Sequence, residues 1–487
     1  MQLKDILSGV EIKKCSFNLN IEISNIQMDS RKIQKNDIFI AIKGENYNGN
    51  DFIKESMTKG AVCVISEDES DYDFVIVVEN VRFAMSQMYK NYYNNPSENM
   101  KIICITGTNG KTSTAMFLYS ILKSAKKSVG LISTIKCLIN DSKYDIKGGA
   151  DTINYGASMT TPDPGVLYET LFQMKKSGVE YVVMEASSHA LELQKLDGLN
   201  IEIGVFTNLS KEHLDFHKNE QSYFEAKQRL FNMCECKIIN IDDKYGEKLS
   251  ISYPESYTIS KLKNANLRIK RIKISNTGST FCCVLKENKI KIKTSILGDF
   301  TIYNIALAVM ASKLLRIKSK YIKKGIKKCR LIEGRIEKIS CNIYIDYAHT
   351  PEAMERVLLY FKKIFPNKKI KVLFGCGGDR DKTKRKEMGR IASNFADSII
   401  VTSDNSRFED PIKIAENIKE GLNSSIDYCI MLDRREAIVY AINNLKKNEI
   451  LLLLGKGHEN YEILNGSKNF FSEKEIIIEA LKNGKNT

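Results

Sequence analysis

Lys111 and Thr112 close the run Ile102-Ile103-Cys104-Ile105-Thr106-Gly107-Thr108-Asn109-Gly110-Lys111-Thr112, the part of this chain with the clearest chemistry. Gly107 and Gly110 let the backbone curl so that its N–H groups point inward, while Thr108 and Asn109 fill the turn between them. A helix starting at Lys111 would add the positive potential of its N-terminus. Lys111 would then reach the β- and γ-phosphates of a nucleotide, and the Thr112 hydroxyl would ligate Mg²⁺. Ile105 stands where the usual phosphate-loop signature begins with glycine, so the pattern is a shortened Gly-x-x-Gly-Lys-Thr.

Other polar groups cluster after apolar runs. Val182-Val183-Met184-Glu185 reads as a buried strand ending in a carboxylate, where phosphate-loop enzymes keep a metal-holding acid. The chain has five histidines, His189, His213, His217, His349 and His458, and each follows an apolar run without lying inside one. His213 and Asp215 offer an imidazole and a carboxylate to a second Mg²⁺. Lys227 falls on a helix between Phe224 and Phe231. The default reading there is a solvated lysine; the alternative is a lysine that takes up CO₂ to form a metal-ligating carbamate.

These residues need a scaffold of strands and helices. With 487 residues the chain is expected to hold three α/β domains. Residues 1–99 form a small α/β unit, with apolar runs at 37–42, 61–65 and 74–78 and an exit linker at Tyr92–Ser97. Residues 100–331 alternate strands (101–105, 180–185, 202–207, 237–241) with helices (111–125, 164–177, 220–234), which predicts a largely parallel phosphate-loop-type sheet. Residues 260–298 read as a hairpin appendage, turning at Asn276-Thr277-Gly278 and Lys286-Glu287-Asn288. Residues 332–487 restart the alternation as a Rossmann-like domain, with strands near 343–346, 370–374, 398–402, 427–431 and 450–454. The clusters Asp346–His349, Gly375–Arg380, Ser403–Asp410 and Gly455–Glu459 follow those strands, where such sheets carry their ligands.

Composition narrows the classes. No run of eighteen uncharged apolar residues occurs and the N-terminus lacks a secretory pattern, so a cytoplasmic protein without membrane insertion is expected. Twelve cysteines without Cys-x-x-Cys pairs read as buried reduced thiols. The net charge of +15 invites a nucleic-acid reading, but no nucleic-acid module accompanies it. Small-molecule substrates, no nucleic acid and a monomeric state are the expectation.

Taken together, the motifs resemble the Mur ligase superfamily, ATP-dependent amide ligases that build the peptidoglycan stem peptide. The likeness runs through Gly107–Thr112, Glu185, His213 and Lys227, and covers nearly the whole chain. It implies that Glu185, His213, Thr112 and a carbamate on Lys227 hold Mg²⁺, two ions in all. It also implies that Asn304, Arg335 and Asp346 contact ATP. The segments Gly375–Asp381, Asp404–Pro411 and Gly455–Glu459 look like the MurE branch, which adds the third residue to UDP-N-acetylmuramoyl-L-alanyl-D-glutamate. That branch assigns Ser30 to the UDP end, and Thr160, Thr161, Ser187 and Lys195 to the muramoyl-dipeptide. It assigns Arg380, Asp404, Asn405, Arg407, Gly455 and Glu459 to the incoming amino acid. Arg407 suits the far carboxylate of meso-diaminopimelate and Glu459 its ammonium, whereas L-lysine lacks that carboxylate. Ligation of L-lysine or another diamino acid, another superfamily ligase and a nucleic-acid-directed ATPase are the alternatives.

The chain departs from the branch pattern at several positions. Ser406 replaces a proline, and Asp381–Lys386 replaces Asp-x-Gly-Lys-Arg-Pro. Asn48–Asp51 stands for Asp-Gly-His-Asp, and Leu193 and Lys195 stand for an expected glutamine and arginine.

Overall fold

A computed structural model describes residues 1–44, 47–145, 160–286 and 288–483, with the side chains of Leu214 and Asp215 left out. The described chain gathers into two compact units. The first takes Met1–Gly107 and the described residues of Lys126–Phe206 and Phe224–Ile238. The second takes Thr108–Ala125, Thr207–Tyr223 and the described residues from Ile239 onward.

The first unit holds two sheets. The smaller has five strands in the spatial order 12–14, 75–78, 61–66, 37–40, 25–27, parallel except for the first pair. Its strands Asp37–Ile40 and Val75–Val78 are buried throughout, the signature of a sheet covered on both faces. In the larger sheet, strand Lys101–Thr106 lies between Ile201–Phe206 and Tyr181–Glu185, all three parallel. Val129–Ile132 pairs with the far side of Tyr181–Glu185. Glu185 sits directly opposite Ile105, so its carboxylate and Gly107 leave the sheet at one edge.

In the second unit, helix Lys111–Ser124 packs against Phe300–Leu314 and Ser319–Lys328. Residues 260–298 were expected as an appendage. Instead, Leu267–Ser275, Gly278–Leu285 and Asn288–Thr294 form an antiparallel meander that continues in parallel from Tyr257–Ser260. The alternating burial of its outer strands explains why it joins a core rather than hanging free. Of the turn predicted at 286–288, residue 287 lies outside the described residues.

The last sheet of this unit runs in the order 337–338, 343–346, 449–454, 369–374, 398–401, 427–430, parallel beyond its first short pair. Each strand predicted for 332–487 lies within a residue of its observed position. Strand Glu449–Leu454 is buried at all six positions, each aliphatic side chain stabilising by about 1.5–3 kcal/mol. The hairpin Tyr461–Leu464/Ser467–Phe470 was not anticipated. Eight of the twelve cysteines are buried as expected, but Cys15 and Cys341 are exposed, and all twelve are free thiols.

Candidate active site

The loop after strand Lys101–Thr106 is built by its glycines. Gly107 has φ 142° and Gly110 φ 87°, and Gly110 opens helix Lys111–Ser124 without a side-chain cap. A Cβ at Gly110 would come 2.4 Å from Asn304 Oδ1, so only glycine fits beside that buried amide. Asn109 is pinned from both ends. Its N–H donates to Asn208 Oδ1 at 3.0 Å, and its carbonyl accepts from Asn208 Nδ2 at 2.9 Å and Thr207 Oγ1 at 2.6 Å. The Thr108 hydroxyl lies 3.1 Å from the Tyr223 hydroxyl, and Lys111 Nζ donates to Thr108 O at 2.9 Å. Asn208 was not singled out from sequence, although it directly follows a predicted strand.

Glu185 is fully buried in the first unit. One of its oxygens accepts from Thr134 N at 2.8 Å and the other from Thr134 Oγ1 at 3.1 Å. Thr134 Oγ1 also lies 3.1 Å from Thr160 Oγ1, while Thr161 Oγ1 donates to Glu185 O at 2.9 Å and accepts from Ser187 N at 3.0 Å. Three residues expected at the muramoyl-dipeptide, Thr160, Thr161 and Ser187, are thus tied to Glu185. Lys195, buried, is ion-paired to Asp163 at 2.6 Å. Ser30 begins a short 3₁₀ turn, capped by Asp29, that connects strands Asn25–Gln27 and Asp37–Ile40 of the smaller sheet.

Lys227 corrects the default reading of a solvated helix lysine. It is 1% exposed, and its Nζ donates to Gly107 O at 3.2 Å. The neighbouring Phe224 and Phe231 are equally buried and carry the helix inward. Its amine therefore ends at the start of the phosphate-loop turn.

His213 adopts φ 57°, a left-handed backbone that non-glycine residues hold only where the surroundings enforce it. Its neighbour Glu212 accepts from, or pairs with, His349 Nε2 at 2.8 Å. Burial would raise the Glu212 pKa, but the imidazoles of His213 and His349 and the Lys111 ammonium hold it well below the carboxylate range. Asp346 takes Ile336 N at 2.7 Å and Ala348 N at 2.8 Å, and burial still pushes its pKa up. The Arg335 guanidinium stacks 4.7 Å over Tyr347. His458 is held at about 3 by burial, with Arg335 and His349 adding to the effect, so it is a neutral imidazole near pH 7.

The ends of the last sheet gather the residues expected around an amino acid. Asn405 Nδ2 donates to Glu459 Oε2 at 2.9 Å, and Asn405 Oδ1 accepts from Lys456 Nζ and Ile463 N, both at 3.0 Å. Gly455 leaves room for Asp404, whose carboxylate would meet a Cβ there at 2.8 Å. Burial, then Asp404, raises the Glu459 pKa. Arg407 has φ 54°, and its Nη1 donates to Gly378 O at 2.7 Å and Asn405 O at 3.3 Å. Arg380, half-buried, stands close enough to depress the Arg407 pKa further after burial has lowered it. Lys456, within the Gly455–Glu459 cluster but given no role from sequence, is fully buried, and the hairpin that contacts Arg407 through Ile463 O and Asn465 N was not read from the sequence.

Buried ion pairs brace this end of the sheet. Arg385 reaches both oxygens of Glu409 at 2.7 Å and donates to Gly377 O at 3.2 Å. Its hydrogen bonds hold Glu409 at about 2. Arg434 pairs with Glu473 at 2.7 Å and donates to Ser403 O and Leu454 O.

Comparison with known proteins agrees along the whole chain. Residues 105–312 match the Mur ligase middle domain, 334–457 the Mur ligase glutamate ligase domain, and 22–101 the Mur ligase family catalytic domain. The chain is 38% identical to the UDP-N-acetylmuramoyl-L-alanyl-D-glutamate–2,6-diaminopimelate ligase of Clostridium tetani, covering 99% of each. It is 39% identical to the ligase of the same name from Caldanaerobacter subterraneus subsp. tengcongensis, again with 99% of each covered. Among solved structures, a ligase of that name matches with TM-score 0.70 and 29% identity, covering both chains fully. MurF ligase from Thermotoga maritima, solved with ADP, shares the fold at TM-score 0.61 and 17% identity, covering 95% of this chain and 98% of that one. On these matches, which span nearly its full length, the chain belongs to the Mur ligase family.

Proposed function

We propose that this chain is an ATP-dependent amide ligase that adds meso-2,6-diaminopimelate to UDP-N-acetylmuramoyl-L-alanyl-D-glutamate in peptidoglycan precursor synthesis. The observation that carries the reading is the phosphate-loop turn. Asn109 is clamped by Asn208, and an uncapped helix opens at Gly110, in a chain alike over its full length to ligases of that name. In this reading residues 1–99 take the UDP end through Ser30, 100–331 take ATP, and 332–487 take the amino acid. The reaction runs in the cytoplasm on a monomer.

The γ-carboxylate of the D-glutamyl residue attacks the γ-phosphate of ATP. The bridging P–O bond breaks, ADP leaves and an acyl phosphate forms. The α-amine of diaminopimelate then attacks the acyl carbon, phosphate departs, and the amine loses its proton as the amide forms. Little of this needs acid–base catalysis; alignment and charge neutralisation dominate. Gly107–Thr112 would seat the phosphates, with Asn304, Arg335 and Asp346 toward the rest of the nucleotide. Thr160, Thr161, Ser187 and Lys195 would hold the muramoyl-dipeptide.

The donor set suits Mg²⁺. Among the described residues no three His, Cys, Asp or Glu side chains form a ready metal cage. Mg²⁺ prefers one or two protein oxygens completed by water and substrate phosphates. Glu185 and a carbamate on buried Lys227 would serve it in the first unit, and Thr112 and His213 in the second. The bound ions would neutralise charge on the transferring phosphoryl group. In the last sheet, Arg407 and Arg380 would take the diaminopimelate carboxylates, Glu459 its far ammonium, with Asp404, Asn405 and Gly455 shaping the pocket.

Phosphate release from UDP-N-acetylmuramoyl-L-alanyl-D-glutamate, measured across a panel of amino acids, tests the proposal. The expected result is turnover with diaminopimelate and far less with L-lysine. Equal kcat/KM for both would overturn the specificity, and no turnover with any amino acid would overturn the ligase.

A further inference from the structure

The positive charge of this chain is concentrated in two segments. Residues 261–293 hold ten Lys or Arg and one acidic residue, and residues 313–330 hold nine Lys or Arg and no acidic one. Together they carry +18 against +15 for the whole chain, so everything else carries −3.

The fold places these two segments side by side. In the meander, the register aligns Arg268 with Val284 and Lys289, Lys270 with Cys282 and Lys291, and Lys273 with Thr280 and Lys293. Directly paired residues share one face of an antiparallel sheet, so six cations stand in two rows on a single face. The opposite face, with Leu267, Ile269, Phe281, Cys283, Ile290 and Ile292, is buried. Helix Ser319–Lys328 packs against the edge strand Asn288–Thr294 and exposes Lys320, Lys323, Lys324, Lys327 and Lys328.

None of these eleven cations is ion-paired among the described residues, in contrast to Arg385 and Arg434. Rows about 10 Å apart, with cations about 7 Å apart along a strand, lie within or near one Debye length and repel one another. Such an arrangement costs the fold stability and is matched only by an extended anionic surface.

The face carries no aromatic side chain on which bases would stack, and five of its six cations are lysine rather than the arginine favoured for forked phosphate contacts. The loop entering it presents Leu262, 74% exposed, between the exposed Lys261 and Lys263, the latter paired with Glu247. An exposed apolar tip beside a lysine-rich face suits the headgroup layer of a bilayer. We propose that this face docks the chain peripherally onto an anionic lipid bilayer. No described helix is long and apolar enough to cross a membrane, so the contact is with the surface. The inference does not depend on the ligase reading.

Co-sedimentation of the full chain with vesicles tests it. Binding is expected to phosphatidylcholine–phosphatidylglycerol vesicles (about 7:3) near 0.1 M salt, with release near 0.5 M and none to phosphatidylcholine alone. At about fivefold per cation, K270E/K291E/K293E is expected to lose roughly 100-fold or more in partitioning, with no fall in Tm and with turnover kept. K4E/K413E/K419E, with the same change in net charge elsewhere, is expected to keep most of its binding. Should the first variant fail to fold, K323E/K324E/K327E on the helix replaces it. Equal losses in the face and control variants, absence of binding to anionic vesicles, or tighter binding to duplex DNA or single-stranded RNA would each overturn the proposal.

Discussion

The phosphate-loop turn and the strand exits of the last sheet, proposed to seat ATP and the amino acid, are built by different means. At the loop, backbone geometry dominates: two left-handed glycines, a carbonyl and an N–H of Asn109 held by one amide side chain, and Gly110 fitted against Asn304. At the strand exits of the last sheet, charge dominates: Lys456 lies between Asp404 and Glu459, and Arg385 and Arg434 add buried pairs. A seat made of backbone is set by φ and ψ and admits few substitutions. A pocket made of side-chain charges can be retuned one residue at a time, and the departures at Ser406 and Asp381–Lys386 fall there.

The comparison can be broken most sharply at the loop. Lys111→Ala is expected to lower amino-acid-dependent ADP release by roughly 10³-fold or more with an unchanged Tm, since the charge is proposed to act on the transferring phosphate. Retained turnover would remove the loop from the chemistry.

At the other end, Glu409→Gln is expected to destabilise the protein by about 3–5 kcal/mol, because it leaves Arg385 buried and unpaired. Its pH dependence is specific. With the Glu409 pKa held at about 2 against the usual 4.5, the pair stabilises the fold fully above 4.5 and the benefit is lost as pH falls toward 2. Denaturant unfolding of wild type and Glu409→Gln should therefore converge over that interval.

Arg407→Ala is expected to cut the preference for diaminopimelate over L-lysine by roughly 30–100-fold, with the lysine rate little changed, the value of a charge-assisted paired hydrogen bond. The smallest effect is reserved for the turn itself. Arg407 is fastened on one side by Ile463 O at 3.0 Å and on the other by Asn465 N at 2.7 Å, bonds that hold its left-handed backbone. Ser406→Pro, restoring the branch pattern, should raise stability by only about 0.4–1 kcal/mol and leave selectivity alone, because the hairpin already fixes the turn. A large rise in selectivity would mean that the serine turn is loose.

Much of this was legible in the sequence. The strands of residues 332–487 announce themselves as short apolar runs such as Ile450–Leu454, and the clusters after them follow from parallel topology. The hairpin was not legible: Tyr461–Leu464 is half-buried and Ser467–Phe470 exposed, so neither shows the alternation of a strand with one buried face. The burial of Lys227 was hidden for a related reason. A helix reading Glu-Gln-Ser-Tyr-Phe-Glu-Ala-Lys-Gln-Arg looks solvated, and only long-range packing of Tyr223, Phe224 and Phe231 decides which face turns inward. Asn208 and Thr134 were invisible as partners because their bonds join residues far apart in the chain.

The order of strands in the last sheet has a consequence for how the protein is made. Glu449–Leu454 is the last of its six strands to leave the ribosome, yet it lies at the centre, between Ile343–Asp346 and Lys369–Phe374. Until translation passes Leu454, the growing chain presents two unpaired apolar strand edges with an open slot between them. Synthesis of this region is therefore an interval in which the nascent protein needs a chaperone, and a stall there would leave a species primed to aggregate.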